Sequence, residues 1–170
     1  MVKFKRRQGV TMMEMMITLG IISSLFVVSA PLLLQANRQF IMNRTRVELQ
    51  QEARGVMYIL TRNLRQAQSS TITISRVTGQ PFYSQITFTK EAATAGVSST
   101  LTFQQEGVTL YQIIGGIKRP LTKNLNYLAF TFPRSDDMSI LSVSITLRKN
   151  IYEGKTKALH MASEKVRIMN

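Results

Sequence analysis

The feature that most constrains this chain is a long apolar run close to its N-terminus. The run covers residues 10–34 and carries a single charge, on Glu14. At about 1.5 Å of rise per residue, a helix of this length crosses a hydrocarbon layer of about 30 Å. The sequence therefore predicts one transmembrane helix over residues 10–34.

Four positive charges precede the apolar run. They are Lys3, Lys5, Arg6 and Arg7, and Gly9 separates them from the run. Basic residues beside a transmembrane helix stay in the cytoplasm. The sequence therefore predicts a single-pass protein whose N-terminus is cytoplasmic.

Glu14 is the anomaly in this segment. A carboxylate inside an apolar run costs about 2.5–3.5 kcal/mol on insertion scales, and an ionisable group at membrane depth indicates a function. A buried charge is tolerated when it is paired and is costly when it is alone. We therefore expect Glu14 to have a partner.

The order of basic leader, Gly9, Glu14 and apolar helix resembles the class III signal of type IV pilins and of type II secretion pseudopilins. The resemblance implies that a prepilin peptidase cuts after Gly9 and that Val10 becomes the N-methylated first residue. It also implies that Glu14 neutralises the N-terminal amine of a neighbouring subunit during assembly on an inner-membrane platform. Pro31 falls where many pilins have a proline, at which the helix would kink or one turn would melt.

Two other interpretations fit the same run. An ordinary secretory signal would be cut after Ala30, which completes an acceptable small-residue pattern. A plain signal anchor would keep all its residues. The mass of the mature protein distinguishes the three, because they predict loss of residues 1–9, loss of residues 1–30 and no loss.

Residues 35–68 are predicted to continue the helix. Residues 35–51 mix charged and apolar side chains, which favours a stalk between membrane and head. Beyond them the apolar residues recur with a helical period and form one stripe. Its members are Ala53, Val56, Met57, Leu60, Leu64 and Ala67.

From Ser69 the period changes to two, which is typical of half-buried antiparallel strands. The alternating runs are 86–88, 101–103, 108–110, 128–132 and 141–147, and a further β-branched run begins at 71–76. Turns are expected at 106–107, 115–116, 133–137 and 150–154. The predicted fold class is α+β, with a long N-terminal helix packed against an antiparallel β-sheet head formed by residues 69–170.

This order of elements is that of the pilins. Residues 51–68, the hairpin around Gly107 and residues 120–147 are similar to the minor-subunit branch, the PilW-type minor pilins and the J-type minor pseudopilin. The resemblance implies a structural minor subunit, acting in initiation or at the tip, whose partners are the peptidase, other subunits and the assembly platform. The alternative is a binding module that the filament displays.

The sequence offers little for catalysis. There is no cysteine, His160 is the one histidine, and no glycine-rich phosphate loop precedes a helix. Asp136 and Asp137 alone supply too few oxygen ligands for calcium. We therefore expect no enzyme activity, no metal and no cofactor.

Charge is the remaining signal. The whole chain carries +13, and loss of the four leader cations would leave +9. Such a balance favours an acidic partner, anionic lipid or nucleic acid. Six cations near the C-terminus are candidates for contact with DNA phosphates, with a solvated surface or a face towards an acidic subunit as the alternative: Arg148, Lys149, Lys155, Lys157, Lys165 and Arg167.

Overall fold

A computed structural model of the chain describes residues 9–91, 98–152 and 156–169. The chain divides into two units, Met1–Ile41 and Met42–Asn170. One helix, α1, runs from Met12 to Leu64 and belongs to both units.

From Met12 onwards the first unit is helix, and this helix is apolar as far as Leu34. Every large apolar side chain between residues 12 and 34 is exposed, and this part of α1 is long and apolar enough to cross a membrane. Its hydroxyl groups are satisfied within the helix, because each donates to a carbonyl three or four residues earlier: Thr18 to Met15, Ser23 to Leu19, Ser24 to Ile21 and Ser29 to Phe26. Hydroxyls bonded in this way need no water, which is what a hydrocarbon environment requires.

Pro31 lies inside α1, and the helix continues on both sides of it. A melted turn at this position is therefore not observed. The ring removes one backbone donor and crowds the preceding turn, so a bend at Pro31 remains the prediction.

The second unit contains two antiparallel sheets that follow chain order. The first has the order β1-β2-β3-β4-β5 and the second β6-β7-β8. The strands are β1 (Thr73–Ser75), β2 (Gln85–Glu91), β3 (Ser98–Glu106), β4 (Thr109–Ile114), β5 (Ile117–Thr122), β6 (Leu125–Thr131), β7 (Ile140–Tyr152) and β8 (Thr156–Arg167).

The second half of α1 supplies one wall of the core. All six members of the predicted stripe are buried, and Leu60 and Leu64 are 0% exposed. Burial of each such leucine contributes about 1.5–3 kcal/mol. The buried side also includes Thr45 and Leu49, so packing begins inside the predicted stalk. The α+β class and the helix packed against antiparallel sheets are thus confirmed.

The helix ends four residues earlier than predicted, at Leu64. The reason lies in the next residues, where Ala67 donates to the Leu64 carbonyl and Gln68 donates to Thr89 at 3.0 Å. Gln68 is therefore held beside β2 instead of extending α1. A short 3-10 turn, Ser69–Thr71, leads from there to β1.

The five alternating runs lie in β2, β3, β4, β6 and β7. Gly107, Gly115 and Gly116 adopt positive φ, which the tight turns at 107 and 115–116 require. Three boundaries were wrong. Val108 belongs to a turn because β4 starts at Thr109, and Phe132 lies beyond β6, which ends at Thr131. β7 continues through Asn150 to Tyr152. The end of the predicted turn at 150–154 lies outside the described residues.

Candidate functional site

The predicted processing site lies directly in front of the helix. Gly9, Val10 and Thr11 are not helical, and Val10 is exposed. No atom lies within 4 Å of the position that a Cβ on Gly9 would occupy. The fold itself therefore requires no glycine here. The leader residues 1–8, with their four cations, lie outside the described residues.

Glu14 forms a local capping arrangement with Thr11. The Thr11 N–H donates to Glu14 Oε2 at 2.9 Å, and the Thr11 hydroxyl donates to the same oxygen at 3.2 Å. The Glu14 N–H donates back to Thr11 Oγ1 at 3.3 Å. This is the reciprocal capping box of a helix N-terminus, where a carboxylate also interacts favourably with the helix dipole.

The capping box gives Glu14 a local structural role that the sequence analysis did not predict. The sequence interpretation gave this carboxylate no local role, although Thr11 and Glu14 have the three-residue spacing of the motif. In the described residues no ion pair joins Glu14 to a basic side chain, and Oε1 accepts no hydrogen bond. One carboxylate oxygen therefore caps the helix, while the other accepts no hydrogen bond from the described residues.

The C-terminal cations separate into two groups. Lys149 Nζ lies 2.8 Å from Glu48 Oε2, and Arg44 Nε lies 3.2 Å from Glu48 Oε1. The hydrogen bond and charge of Lys149, with a smaller effect of Arg44, lower the pKa of Glu48. Lys149 thus joins β7 to α1, and its contact with DNA stays a prediction. Lys155 lies outside the described residues.

Arg148, Lys157, Lys165 and Arg167 share the outer face of the second sheet. In β7 the odd positions from Leu141 to Leu147 are buried, so the even positions and their cross-strand partners form this face. Lys165 lies opposite Ser142, Lys157 opposite Asn150 and Arg167 opposite Ile140. In the described parts of β6, β7 and β8 the outer face carries no carboxylate. The sequence could not reveal this separation, because it did not predict β8.

The acidic pair at 136–137 stabilises its own turn. Arg134 donates to both oxygens of Asp136, at 3.1 and 2.8 Å, and this bonding lowers the pKa of Asp136. Hydrogen bonding by the Ser139 side chain, and then by the Ser139 N–H at 2.8 Å, lowers the pKa of Asp137. In the part of the chain that the structure describes, no three residues of the His, Cys, Asp and Glu types gather into a metal-binding group.

A groove between α1 and β8 was not predicted. Its volume is about 700 Å³, and it belongs entirely to the second unit. Ala53, Met57 and Thr61 line it and are buried, while His160 and Ala162 come from the buried face of β8. We call it the β8 groove. The lone histidine therefore shares the groove with one carboxylate, Glu164, and among the described residues the two do not belong to any group of three metal-ligand types.

No family model matches this chain, and no curated protein or solved structure matches it. The class that the fold defines is an α+β protein with one long apolar N-terminal helix, able to cross a membrane, packed through its second half against antiparallel sheets.

Proposed function

We propose that this chain is a minor subunit of a type IV pilus or of a type II secretion pseudopilus. A prepilin peptidase removes residues 1–9, and N-methylation modifies Val10. The observation that carries the proposal is the position of Glu14, five residues after Gly9 and in the first turn of a helix that is otherwise apolar for 25 residues after Gly9.

Three features of the N-terminal unit support processing at this place. The bond between Gly9 and Val10 lies in exposed, non-helical chain. The capping box begins at Thr11, so it survives the cut and still starts the helix. The fold requires no glycine at position 9, so the peptidase is the component that selects it.

The exposed apolar surface has a use before and after assembly. Residues 12–34 hold the subunit in the inner membrane, with the leader in the cytoplasm, and afterwards pack among the helices of like subunits in the filament. Both environments exclude water, and the internally bonded hydroxyls suit both. One surface therefore serves anchoring and assembly, on an inner-membrane platform driven by a separate ATPase.

Glu14 would then fix the depth at which a subunit docks. Its Oε2 accepts from Thr11, and its Oε1, which has no donor among the described residues, accepts the amine of a neighbouring mature chain. A carboxylate paired with an amine is tolerated in an apolar environment where a lone carboxylate is not. Docking at any other depth leaves both charges without a partner.

The intact mass of the protein purified from membranes tests the proposal. Loss of residues 1–9 with one added methyl group is the expected result, and a product that retains the leader or begins at Pro31 overturns it. Gly9→Val should block the cut. Gly20→Val is the matched control, because a Cβ added at Gly20 also meets no atom within 4 Å, yet Gly20 lies away from the cleavage site.

A display function is the second candidate, and the one-sided outer face favours it. Arg148, Lys157, Lys165 and Arg167 are exposed and lie on that face without an acidic neighbour in the described strands. A surface of this kind binds DNA through phosphates, and the affinity falls as salt rises. The test is the mobility of duplex DNA with the full chain in detergent. Binding that Lys157→Glu and Lys165→Glu leave unchanged rules out this use of the face.

A further inference from the structure

The edge of β8 is the least protected sheet edge of the second unit. β8 is the last strand of its sheet and spans 12 residues, Thr156–Arg167, without a proline. By comparison, β1 has three residues and β5 contains Pro120. The remaining edge strand, β6, uses backbone N–H groups at Leu125 and Phe130 to donate to Val108 and Tyr83. Short edges and edge prolines prevent pairing with further strands, whereas a long regular edge favours it.

Backbone groups along this edge are available. Among the described residues, no backbone hydrogen bond outside the sheet involves residues 157–167. The nearest such bonds come from Ile168, which donates to Ser139, and Met169, which donates to Arg65. Because β7 occupies only one side of β8, the outward N–H and C=O groups of β8 form a row that a further strand can use.

The β8 groove lies beside this edge. The helix wall of the groove carries Arg54, Tyr58 and Arg62, spaced four residues apart and exposed. From Arg54 to its end at Leu64 the helix advances about 15 Å, which is the length of a strand of about five residues. The opposite wall is His160, Ala162 and Glu164, at positions where larger apolar residues would fill the space.

The charges around the edge identify the occupant. Lys157, Lys165 and Arg167 project to the outer face of β8, and Arg54 and Arg62 line the far side of the groove. The one carboxylate that lines the groove, Glu164, lies 3.8 Å from Arg65. A second copy of β8 would place lysine opposite lysine or arginine, and like charges directly opposite are destabilising. The lysines therefore oppose self-pairing and favour an acidic strand.

We propose that the β8 edge and the β8 groove bind an extended acidic segment of another protein, which adds to the sheet as a ninth strand. Its backbone pairs with β8, which is β-strand addition. Alternate apolar side chains enter the groove above Ala53 and Met57. The intervening carboxylates lie beside Lys157 and Lys165 on the outer face, where opposite charges across a strand pair are favourable. This binding mode does not depend on the proposed filament function.

Binding of a synthetic peptide to the full chain in detergent tests this inference. The probe is a fluorescent peptide of about eight residues, alternating Glu and Val. Two control peptides are a Lys-Val version and a version with N-methylated backbone that keeps the charge but cannot pair. We expect the acidic peptide alone to bind and to slow hydrogen exchange of β8 amides. Equal binding of the N-methylated peptide shows that no strand is added and overturns the proposal.

Substitutions in the chain test whether the peptide binds at the β8 edge. Lys157→Glu with Lys165→Glu should weaken peptide binding by about tenfold or more, and Arg119→Glu is the matched control because it reverses an exposed cation on the edge strand β5. Ala162→Leu should fill the groove and reduce binding without lowering the unfolding midpoint. If single-stranded DNA of equal charge displaces the peptide and binds with the same affinity, the surface recognises polyanions generally and the proposal is wrong.

Discussion

Replacing Glu14 with Gln separates the two roles that the structure leaves to this side chain. Glutamine retains a carbonyl oxygen that accepts the Thr11 N–H, now 2.9 Å from Glu14 Oε2, so the capping box persists. The substitution removes only the negative charge. If Glu14 pairs with the amine of another subunit, Glu14→Gln should block assembly although the helix is still capped.

The two roles differ in expected size. Loss of an N-terminal cap costs about 1 kcal/mol, which is roughly a fivefold change in an equilibrium. Removal of one partner from a buried ion pair costs about 3–5 kcal/mol, which is more than a hundredfold. Thr11→Ala removes the hydroxyl that caps the Glu14 N–H and keeps the charge, so it should show only the smaller effect.

The assay compares the amount of each variant in sheared filaments with the amount in the membrane, after intact mass has shown that processing is unchanged. We expect Thr11→Ala to incorporate within about fivefold of the unmodified chain. Glu14→Gln and Glu14→Ala should both fall more than about a hundredfold. Normal incorporation of Glu14→Gln, with failure of Glu14→Ala, would show that capping is the whole role of Glu14 and would refute the charge-pairing argument.

Substitutions at three further positions test the head, each by chemical unfolding of the full chain in detergent. Glu52→Ala should lower the free energy of unfolding by about 2 kcal/mol, because the Glu52 oxygens accept from Thr122 at 2.6 Å and Asn124 at 2.8 Å. Glu52→Gln keeps one acceptor oxygen, so it should lower the free energy of unfolding by less. Leu60→Ala should cost about 2–5 kcal/mol, since Leu60 is 0% exposed, and an unchanged midpoint would place Leu60 outside the core. Lys149→Met should destabilise at neutral pH and lose its effect in acid. The Glu48 pKa is lowered from 4.5 in the folded state, so its stabilisation is present above 4.5 and disappears as the pH falls through the lowered value.

The sequence predicted those parts of the fold that depend on local period. The stripe from Ala53 to Ala67 and the runs in β2, β3 and β7 each bury one side, so composition and spacing determine them. β5 was missed because Pro120 interrupts its pattern, although a proline is tolerated on an edge strand. The buried face of β8 carries His160, Ala162 and Glu164, so the strand shows little apolar alternation.

The candidate sites depend on which residues the fold brings together, and this limited their prediction. The contact between Lys149 and Glu48 joins positions 101 residues apart. Glu52 is likewise distant in the chain from its partners Thr122 and Asn124, by 70 and 72 residues. No local pattern distinguishes Lys149 from Arg148, and only alternation along a strand whose bounds are known assigns them to opposite faces. The Thr11–Glu14 capping box was also missed, but for another reason. Its three-residue spacing is a local pattern, so it could have been predicted from the sequence.

The apolar surface of the N-terminal unit limits the interpretations that remain. Large apolar side chains from Met12 to Leu34 are exposed, and covering each one is favourable by about 1.5–3 kcal/mol. A plain anchor covers them with lipid, and among the described residues it leaves the Glu14 carboxylate with Thr11 as its one side-chain partner. The proposed filament would cover the same side chains with other helices and would supply each Glu14 with an amine. Only in the filament does function depend on the depth of the carboxylate. The double variant Glu14→Gln with Thr18→Glu moves the acid by about one helical turn. It should preserve membrane insertion and abolish assembly.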